Sequence, residues 1–505
     1  MTAPTPAADD RLDRATLAVA GVVVLGAIMS ILDVTVVNVA IKTLSTDFQT
    51  PLSTIQWVAT GYTLALATVI PLTGWAADRF GTKRLYMISI ALFMCGSALA
   101  GAAWSSGSLI FFRVLQGFGG GMIMPAGMTI LTRAAGPQRL GRVMAVIGIP
   151  MLLGPILGPI LGGWLVDSVS WRWIFYINVP IGVVALIASL RILPKDEPQA
   201  HHRLDVLGLV LLSPGLALLI YGLAETASQG GFGAAKVLIP ILVGAVLIAA
   251  FIRHALRTEE PLIDLRLFTN RTFSAASATM TLFAVAFFGA MLLMPLYFQT
   301  VRGENALHAG LILAPQGLGA MVTMPIAGRL VDKMGPGRIV LTGMLVIVLG
   351  FIPYTQVEAD TSFLLLELSL FVMGLGLGAT MMPTMSAAMS MLRRAEIAKA
   401  STTLNIIQQV GGSIGTAAMA VLLTNALKSR LPGAGEGGIG AATANVPPAA
   451  RDKIFPAMAD AFGHTFLWAV ILIGVAFLPA LLLPRRKPDP VDDDDAAPEP
   501  LLVHA

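Results

Sequence analysis

Apolar stretches of about twenty residues recur along the 505-residue chain, each bounded by charges or turn residues. That length matches a helix crossing the hydrocarbon core, and the pattern predicts fourteen such spans. They fall at 15–41, 54–77, 85–103, 108–131, 143–166, 173–190, 205–224, 236–252, 272–298, 309–331, 339–357, 362–386, 402–427 and 462–483. The first run is too long, and too polar towards Asn38, for a cleaved leader, and no small-residue cleavage site follows it. The seventh and eighth spans are interrupted by Pro214 and Pro240. The longest break, Leu431 to Ala461, is rich in Gly, Ala and Pro and reads as a flexible loop with at most one short amphipathic turn.

The basic residues check the count independently. With the N-terminus in the cytoplasm, 24 of the 33 Lys and Arg fall in cytoplasmic segments, eight fall outside and Arg113 lies within a span. This alternation is the positive-inside pattern, and it predicts an even number of spans with both termini cytoplasmic. Composition agrees: 56% of residues are hydrophobic and 12% charged, against about 25% charged in soluble domains. A soluble enzyme or a secreted factor is thereby excluded. A single cysteine, Cys95, excludes a disulfide framework or thiolate metal cluster, and the six histidines show no ligand spacing, so no metal site is expected. No phosphate-binding G-x-x-x-x-G-K-[ST] run or other cofactor motif is present. The formal charge of +4 is distributed by topology and gives no reason to expect a nucleic-acid partner.

Two stretches repeat each other. Gly74-Trp-Ala-Ala-Asp78-Arg79-Phe-Gly81-Thr-Lys83-Arg84 follows the second span, and Gly328-Arg-Leu-Val-Asp332-Lys-Met-Gly335-Pro-Gly-Arg follows the tenth. An offset of 254 residues is too long for a solenoid and fits two transmembrane halves. Glycines at such a turn allow close helix approach, while the aspartate can cap a helix or accept from nearby bases.

This loop resembles the signature motif of the major facilitator superfamily, and fourteen spans resemble its drug:proton antiporter branch, typified by EmrB/QacA-type multidrug exporters. Other stretches carry the same resemblance. They are Leu32-Asp33-Val-Thr35-Val-Val-Asn38-Val-Ala40, Arg113-Val-Leu-Gln116-Gly117-Phe-Gly-Gly-Gly121, and Gly154-Pro155-Ile-Leu-Gly158-Pro159-Ile-Leu-Gly162-Gly163. A fourth is Trp171-Arg-Trp-Ile-Phe175-Tyr-Ile-Asn178-Val-Pro180-Ile-Gly182. The first loop copy departs from the pattern at Ala76 and Thr82 without losing its aspartate or glycines.

The resemblance implies an all-α membrane protein of two six-helix bundles with two inserted helices. Its units would be a cytoplasmic tail 1–14, a bundle 15–191, a linker and insert 192–254, a second bundle 255–484 containing the outer loop 428–461, and a tail 485–505. The implied activity is proton-coupled efflux of small amphipathic compounds by alternating access. A transporter for one endogenous metabolite or lipid-like molecule is the alternative. The expected partners are a small-molecule substrate, protons and membrane lipids, the unit is a monomer, and the Ala-, Gly- and Val-rich composition suggests a bacterial cytoplasmic membrane. The turn motif would govern conformational exchange, and the stripe Gly154, Gly158, Gly162, with Pro155, Pro159 and Gly163, would form a gating or leak-preventing interface.

Charges within spans are few and expensive unless paired or wetted. Asp33 is the clearest, able in a medium of low dielectric to exchange a proton or accept a cation, or alternatively to form a structural latch. The resemblance links Arg113 to proton coupling, with Gln116 three residues on along the same face. Arg113 can also be read as a helix-end arginine reaching the headgroups. Glu225, Glu367 and His308 are placed near the outer surface. The tenth span carries Gln316 and no acid. The expected substrate cavity draws on Asn38, Gln56, Trp57, Tyr62, Gln116, Gln316, Asn405 and Gln409, with Gln408 turned away. Twenty-four methionines, clustered in runs such as Gly-Ala-Thr380-Met-Met-Pro-Thr-Met, offer adaptable apolar surface.

Overall fold

A computed structural model describes residues 14–50, 52–135, 154, 157–158, 160–166, 168–195, 203–229, 231–390, 392, 396–430 and 448–486. Among these residues, thirteen helices are long and apolar enough to cross a membrane. They are α1 (Arg14–Asp47), α2 (Trp57–Phe80), α3 (Thr82–Gly101), α4 (Ser106–Ala135), α5 (Trp173–Ile192), α6 (Val206–Gln229) and α7 (Ala235–Ala255). The remainder are α8 (Arg271–Thr300), α9 (Ala306–Met334), α10 (Pro336–Thr355), α11 (Phe363–Met389), α12 (Ile397–Arg430) and α13 (Pro448–Ala480). The predicted span at 143–166 is helical wherever it is described between 154 and 166; residues 143–153, Pro155 and Pro159 lie outside the described residues.

Helices are the forced solution, because a backbone surrounded by hydrocarbon has no water to satisfy its amides and must bond within the segment. Proline breaks are absorbed locally. At Pro71, α2 tightens into a 3-10 turn (Ile70–Leu72) and then resumes as helix, and α5 is interrupted for one residue at Ile177. The expected flexible stretch 431–461 is shorter than the sequence suggests. Helix α13 begins at Pro448, since proline suits a first helical turn and Ala449 and Ala450 continue it. Residues 431–447 lie outside the described set, as do 1–13 and 487–505.

Helices α1 to α5 pack together, as do α8 to α13. The inserted pair α6–α7 joins them: α6 leans on α2 in the first group and on α12 in the second. Ser213 donates to the Thr68 carbonyl at 2.6 Å, Trp57 stacks on Tyr221 with centroids 5.7 Å apart, and Leu212 and Leu216 share an apolar cluster with Ile406 and Val410. One carboxylate fastens the insert at its base. Asp205 accepts from the Gly208 amide at the start of α6 (2.8 Å), from His254 near the end of α7 (2.7 Å) and from the Leu262 amide in the following connection (3.2 Å).

At the end bearing the basic loops the two halves close on each other. Ala76, Ala77, Met128 and Ile130 of the first half share one core with Met385, Met389, Ile397 and Ala398 of the second. Ser401 donates across the seam to the Pro125 carbonyl at 3.2 Å.

Candidate functional site

Within the first bundle, towards the end away from the basic loops, the two charges singled out from the sequence meet. Asp33 and Arg113 are each 1% exposed and form an ion pair at 2.5 Å. Arg113 is therefore not a helix-end residue reaching for headgroups; it points inward from α4. Gln116, one helical turn on, bridges the pair: its Oε1 accepts from Arg113 at 2.7 Å and its Nε2 donates to Asp33 Oδ1 at 2.8 Å. Arg113 Nε also donates to the Val58 carbonyl at 3.1 Å, and its guanidinium lies 4.1 Å from the centre of the Tyr62 ring. A buried guanidinium is stable only when its donors and its charge are answered. Here a carboxylate, an amide, a carbonyl and a ring face do so. The glycine run after Gln116 permits the approach: a Cβ on Gly119 would stand 2.4 Å from the Phe93 nitrogen of α3.

A further side chain, which in the sequence is only one letter of the Trp-Arg-Trp motif, completes the cluster. Asn178 Nδ2 lies 3.3 Å from Asp33 Oδ1 and 3.0 Å from Ser97 Oγ, and Ser97 donates to the Phe175 carbonyl at 2.9 Å. The block entering α5 is pinned at the end of the bundle away from the basic loops. Trp171 donates to Asp47 at 2.7 Å, and Arg172 donates to the Gly101 and Ala103 carbonyls at 2.8 and 2.7 Å. The Trp-Arg-Trp-Ile-Phe-Tyr-Ile-Asn spacing held the signal, but nothing in a single sequence says that its asparagine faces span 1.

The two turn-motif copies adopt the same backbone. Gly81 has φ 85° and ψ 143°, Gly335 φ 82° and ψ 155°, a region essentially restricted to glycine. Asp78 is 3.8 Å from Arg133, which also donates to Thr82, and Lys83 donates to the Leu190 and Leu193 carbonyls at the end of α5. Arg79 and Arg84 are exposed, and the Thr402 hydroxyl of α12 stands 3.4 Å from where a Cβ on Gly74 would project. In the second copy Gly328 is buried and Asp332 half-buried. Gly337 donates to the Pro484 carbonyl, so this turn rests on the chain after α13. The glycines of the fifth span face α1. Cβ atoms on Gly154, Gly158 and Gly162 would meet Ile31 at 2.0 Å, Thr35 at 2.0 Å and Val36 at 3.1 Å, while Gly163 faces open space.

The remaining cavity candidates separate. Tyr62 and Gln116 belong to the charged cluster. Gln56 is exposed at the start of α2 and Trp57 stacks on the insert, so neither joins it. The Asn38 side chain lies outside the described residues. Gln316 is half-buried on α9, its carbonyl against Gly374 of α11. Asn405 donates to the Ser401 carbonyl and Gln409 is half-buried. Gln408, expected to turn away, instead lines a pocket with Phe283, Phe287, Phe288, Met280, Met381 and Thr384. It lies only about 60° around the helix from Asn405, and the position of α8 decides which of them meets the pocket. Glu225 and Glu367 are half-buried, and His308 pairs with Glu304 four residues before it.

Helices apolar on all sides, a buried charge pair in the first bundle and two halves meeting at one end are the features of a membrane transporter. The chain belongs to the Major Facilitator Superfamily, whose family model matches residues 23–416. It is 46% identical over 495 residues to a multidrug resistance protein B homolog of Mycobacterium tuberculosis, covering 95% of this chain and 92% of the relative. It is 35% identical over 394 residues to the multidrug export protein EmrB of Haemophilus influenzae, covering 78% and 77%. Among solved structures, the human organic anion transporter MFSD10 aligns with a TM-score of 0.58 at 16% identity, covering 91% of this chain and 99% of that one. The proton:xylose symporter XylE aligns with a TM-score of 0.59 at 15% identity, covering 92% and 96%. At those identities the structural likenesses show the fold alone. The protein is thus a multi-pass bacterial membrane transporter.

Proposed function

We propose that the chain exports small amphipathic compounds, often cationic or lipophilic, in exchange for protons, with Asp33 as the coupling carboxylate. The observation that carries this is the Asp33–Arg113 pair sealed among apolar helices, a costly arrangement that a purely mechanical scaffold does not need. The names of the multidrug relatives support the substrate class. As arranged, three donors converge on Asp33 and fit its carboxylate form. When Asp33 takes a proton, Arg113 keeps the Val58 carbonyl, Gln116 Oε1 and the Tyr62 ring, which offset part of the lost countercharge. Each inward proton supplies about 2.3 kcal/mol per 100 mV.

The 24 basic residues on one side support cytoplasmic termini. The closed end then faces the cytoplasm. The moving bodies are residues 15–191 and 255–484, with 192–254 as the insert. The turn motifs around Asp78 and Asp332 govern their exchange, and the Gly154–Gly158–Gly162 face guards against leak. One chain holds both halves, which supports a monomeric working unit.

The test is proton movement triggered by adding substrate to proteoliposomes, comparing wild type with Asp33→Asn at equal reconstituted protein. Proton release should vanish in the variant while energy-independent substrate exchange persists. Wild-type stoichiometry in the variant refutes the assignment.

A further inference from the structure

The donor facing Asp33 from α5 is oriented by groups that never touch the ion pair, and the hydrogen-bond network assigns that orientation. Ser97 Oγ has one proton, and it is committed to the Phe175 carbonyl at 2.9 Å. Towards Asn178, 3.0 Å away, Ser97 can then only accept, so the Asn178 amino group, not its carbonyl, is on that side. The same nitrogen is 3.3 Å from Asp33 Oδ1. Ser97 is fully buried, and Asn178 and Asp33 are each 1% exposed, so bulk water cannot replace a missing donor.

We propose that Asn178, aligned by Ser97, is a positioning residue that sets how readily Asp33 takes up a proton. This rests on the reading of Asp33 as the coupling carboxylate. A donor aimed at Oδ1 favours the charged form. Withdrawing the amide therefore favours proton uptake. The charged and titratable groups around Asp33 among the described residues are Arg113 from α4 and Tyr62 from α2; α3 and α5 contribute the neutral Ser97, Asn178 and Phe175.

The arrangement also gives the outer end a route to the proton site. Asn178 begins the longer part of α5 directly after the break at Ile177, and six and seven residues earlier the same block is tied by Arg172 to the end of α3 and by Trp171 to the end of α1. A shift of this block against α3 or α1 moves the amide relative to Asp33 while leaving Arg113 and Gln116, both on α4, in place.

The experiment is pH-difference infrared spectroscopy on the full-length protein in lipid, with no ligand added. The protonated-carboxyl band that disappears in Asp33→Asn reports Asp33. Asn178→Leu removes the amide at similar volume, and Ser97→Ala removes one oxygen while keeping the helix contact. In Asn178→Leu the midpoint of the band should move by about one pH unit to the alkaline side, as expected for losing one hydrogen bond to a charged group. Ser97→Ala should move it the same way by less, and the double variant no further than Asn178→Leu alone, because both act through one donor. A merely structural asparagine lowers thermal stability and leaves the midpoint where it was. A midpoint unmoved in both variants, or no Asp33 band in any of the proteins, overturns the proposal. If proteoliposomes of Asp33→Asn still couple protons while the infrared midpoint shifts as expected, the coupling assignment fails and the positioning role stands.

Discussion

Breaking the Asp33–Arg113 pair from one side should cost far more than removing it whole. Both side chains are about 1% exposed, so neither charge can be taken over by water once its partner is gone. Removing one member of a buried pair typically costs about 3–5 kcal/mol, whereas replacing both by neutral groups of similar size is often close to neutral. Arg113→Gln leaves Asp33 with the amide donors of Gln116 and Asn178 but no countercharge. Asp33→Asn leaves a guanidinium that cannot shed its proton, relieved in part by the Val58 carbonyl, Gln116 Oε1 and the Tyr62 ring. Each single variant should lose about 3 kcal/mol or somewhat more, and the double variant Asp33→Asn/Arg113→Gln should return to within about 1–2 kcal/mol of wild type. Reversible unfolding of the purified protein in mixed micelles measures the stabilities, and proteoliposome proton flux measures coupling on the same preparations. The expected result is a dissociation, with the double variant stable yet uncoupled. A double variant as unstable as the worse single one means the pair is not an electrostatic unit, and a double variant that still couples means that neither residue carries the proton.

Three further outcomes are expected. Gly158→Ala places a Cβ about 2.0 Å from the Thr35 hydroxyl, two residues beyond Asp33 on α1. It should cost about 1–3 kcal/mol as overpacking and raise substrate-independent proton leak, read by dye in vesicles; an unchanged leak in folded protein removes the sealing role. Asp78→Asn weakens the contact with Arg133 at 3.8 Å and should slow exchange between the two facing states without altering substrate binding; spin-label distances together with equilibrium binding separate the two effects. Asp205→Asn neutralises the carboxylate shared by Gly208, His254 and Leu262, and should free the connection at 256–265 to limited proteolysis; protection equal to wild type would show that the apolar contacts alone hold the insert.

Much of this architecture is legible in the chain itself, because a lipid medium leaves little choice. Any long apolar run must become a helix, and charge alternation then orders the runs. The repeat around Asp78 and Asp332 was visible for a comparable reason: the backbone at Gly81 and Gly335 admits only glycine, so the turn writes itself into the sequence. Asp33 and Arg113 stood out through their cost, as charges do in apolar spans. Their contact did not. It joins residues 80 positions apart, and only the seating of α4 against its neighbours, down to a glycine under Phe93, brings the guanidinium to the carboxylate. The same holds for Asn178, which reads as a motif letter until α5 places it beside Ser97, and for Gln408, whose face is decided by where α8 lies. Trp57 reads as a cavity residue, and its stacking on Tyr221 of the insert has no mark in the sequence, since the rotation of an all-apolar helix carries no polar stripe to reveal which side faces inward. Helix identity is a property of local composition and was determined by the sequence. Helix rotation, pairing and the closed end depend on many weak contacts made at once, and only the packed tertiary structure decides them.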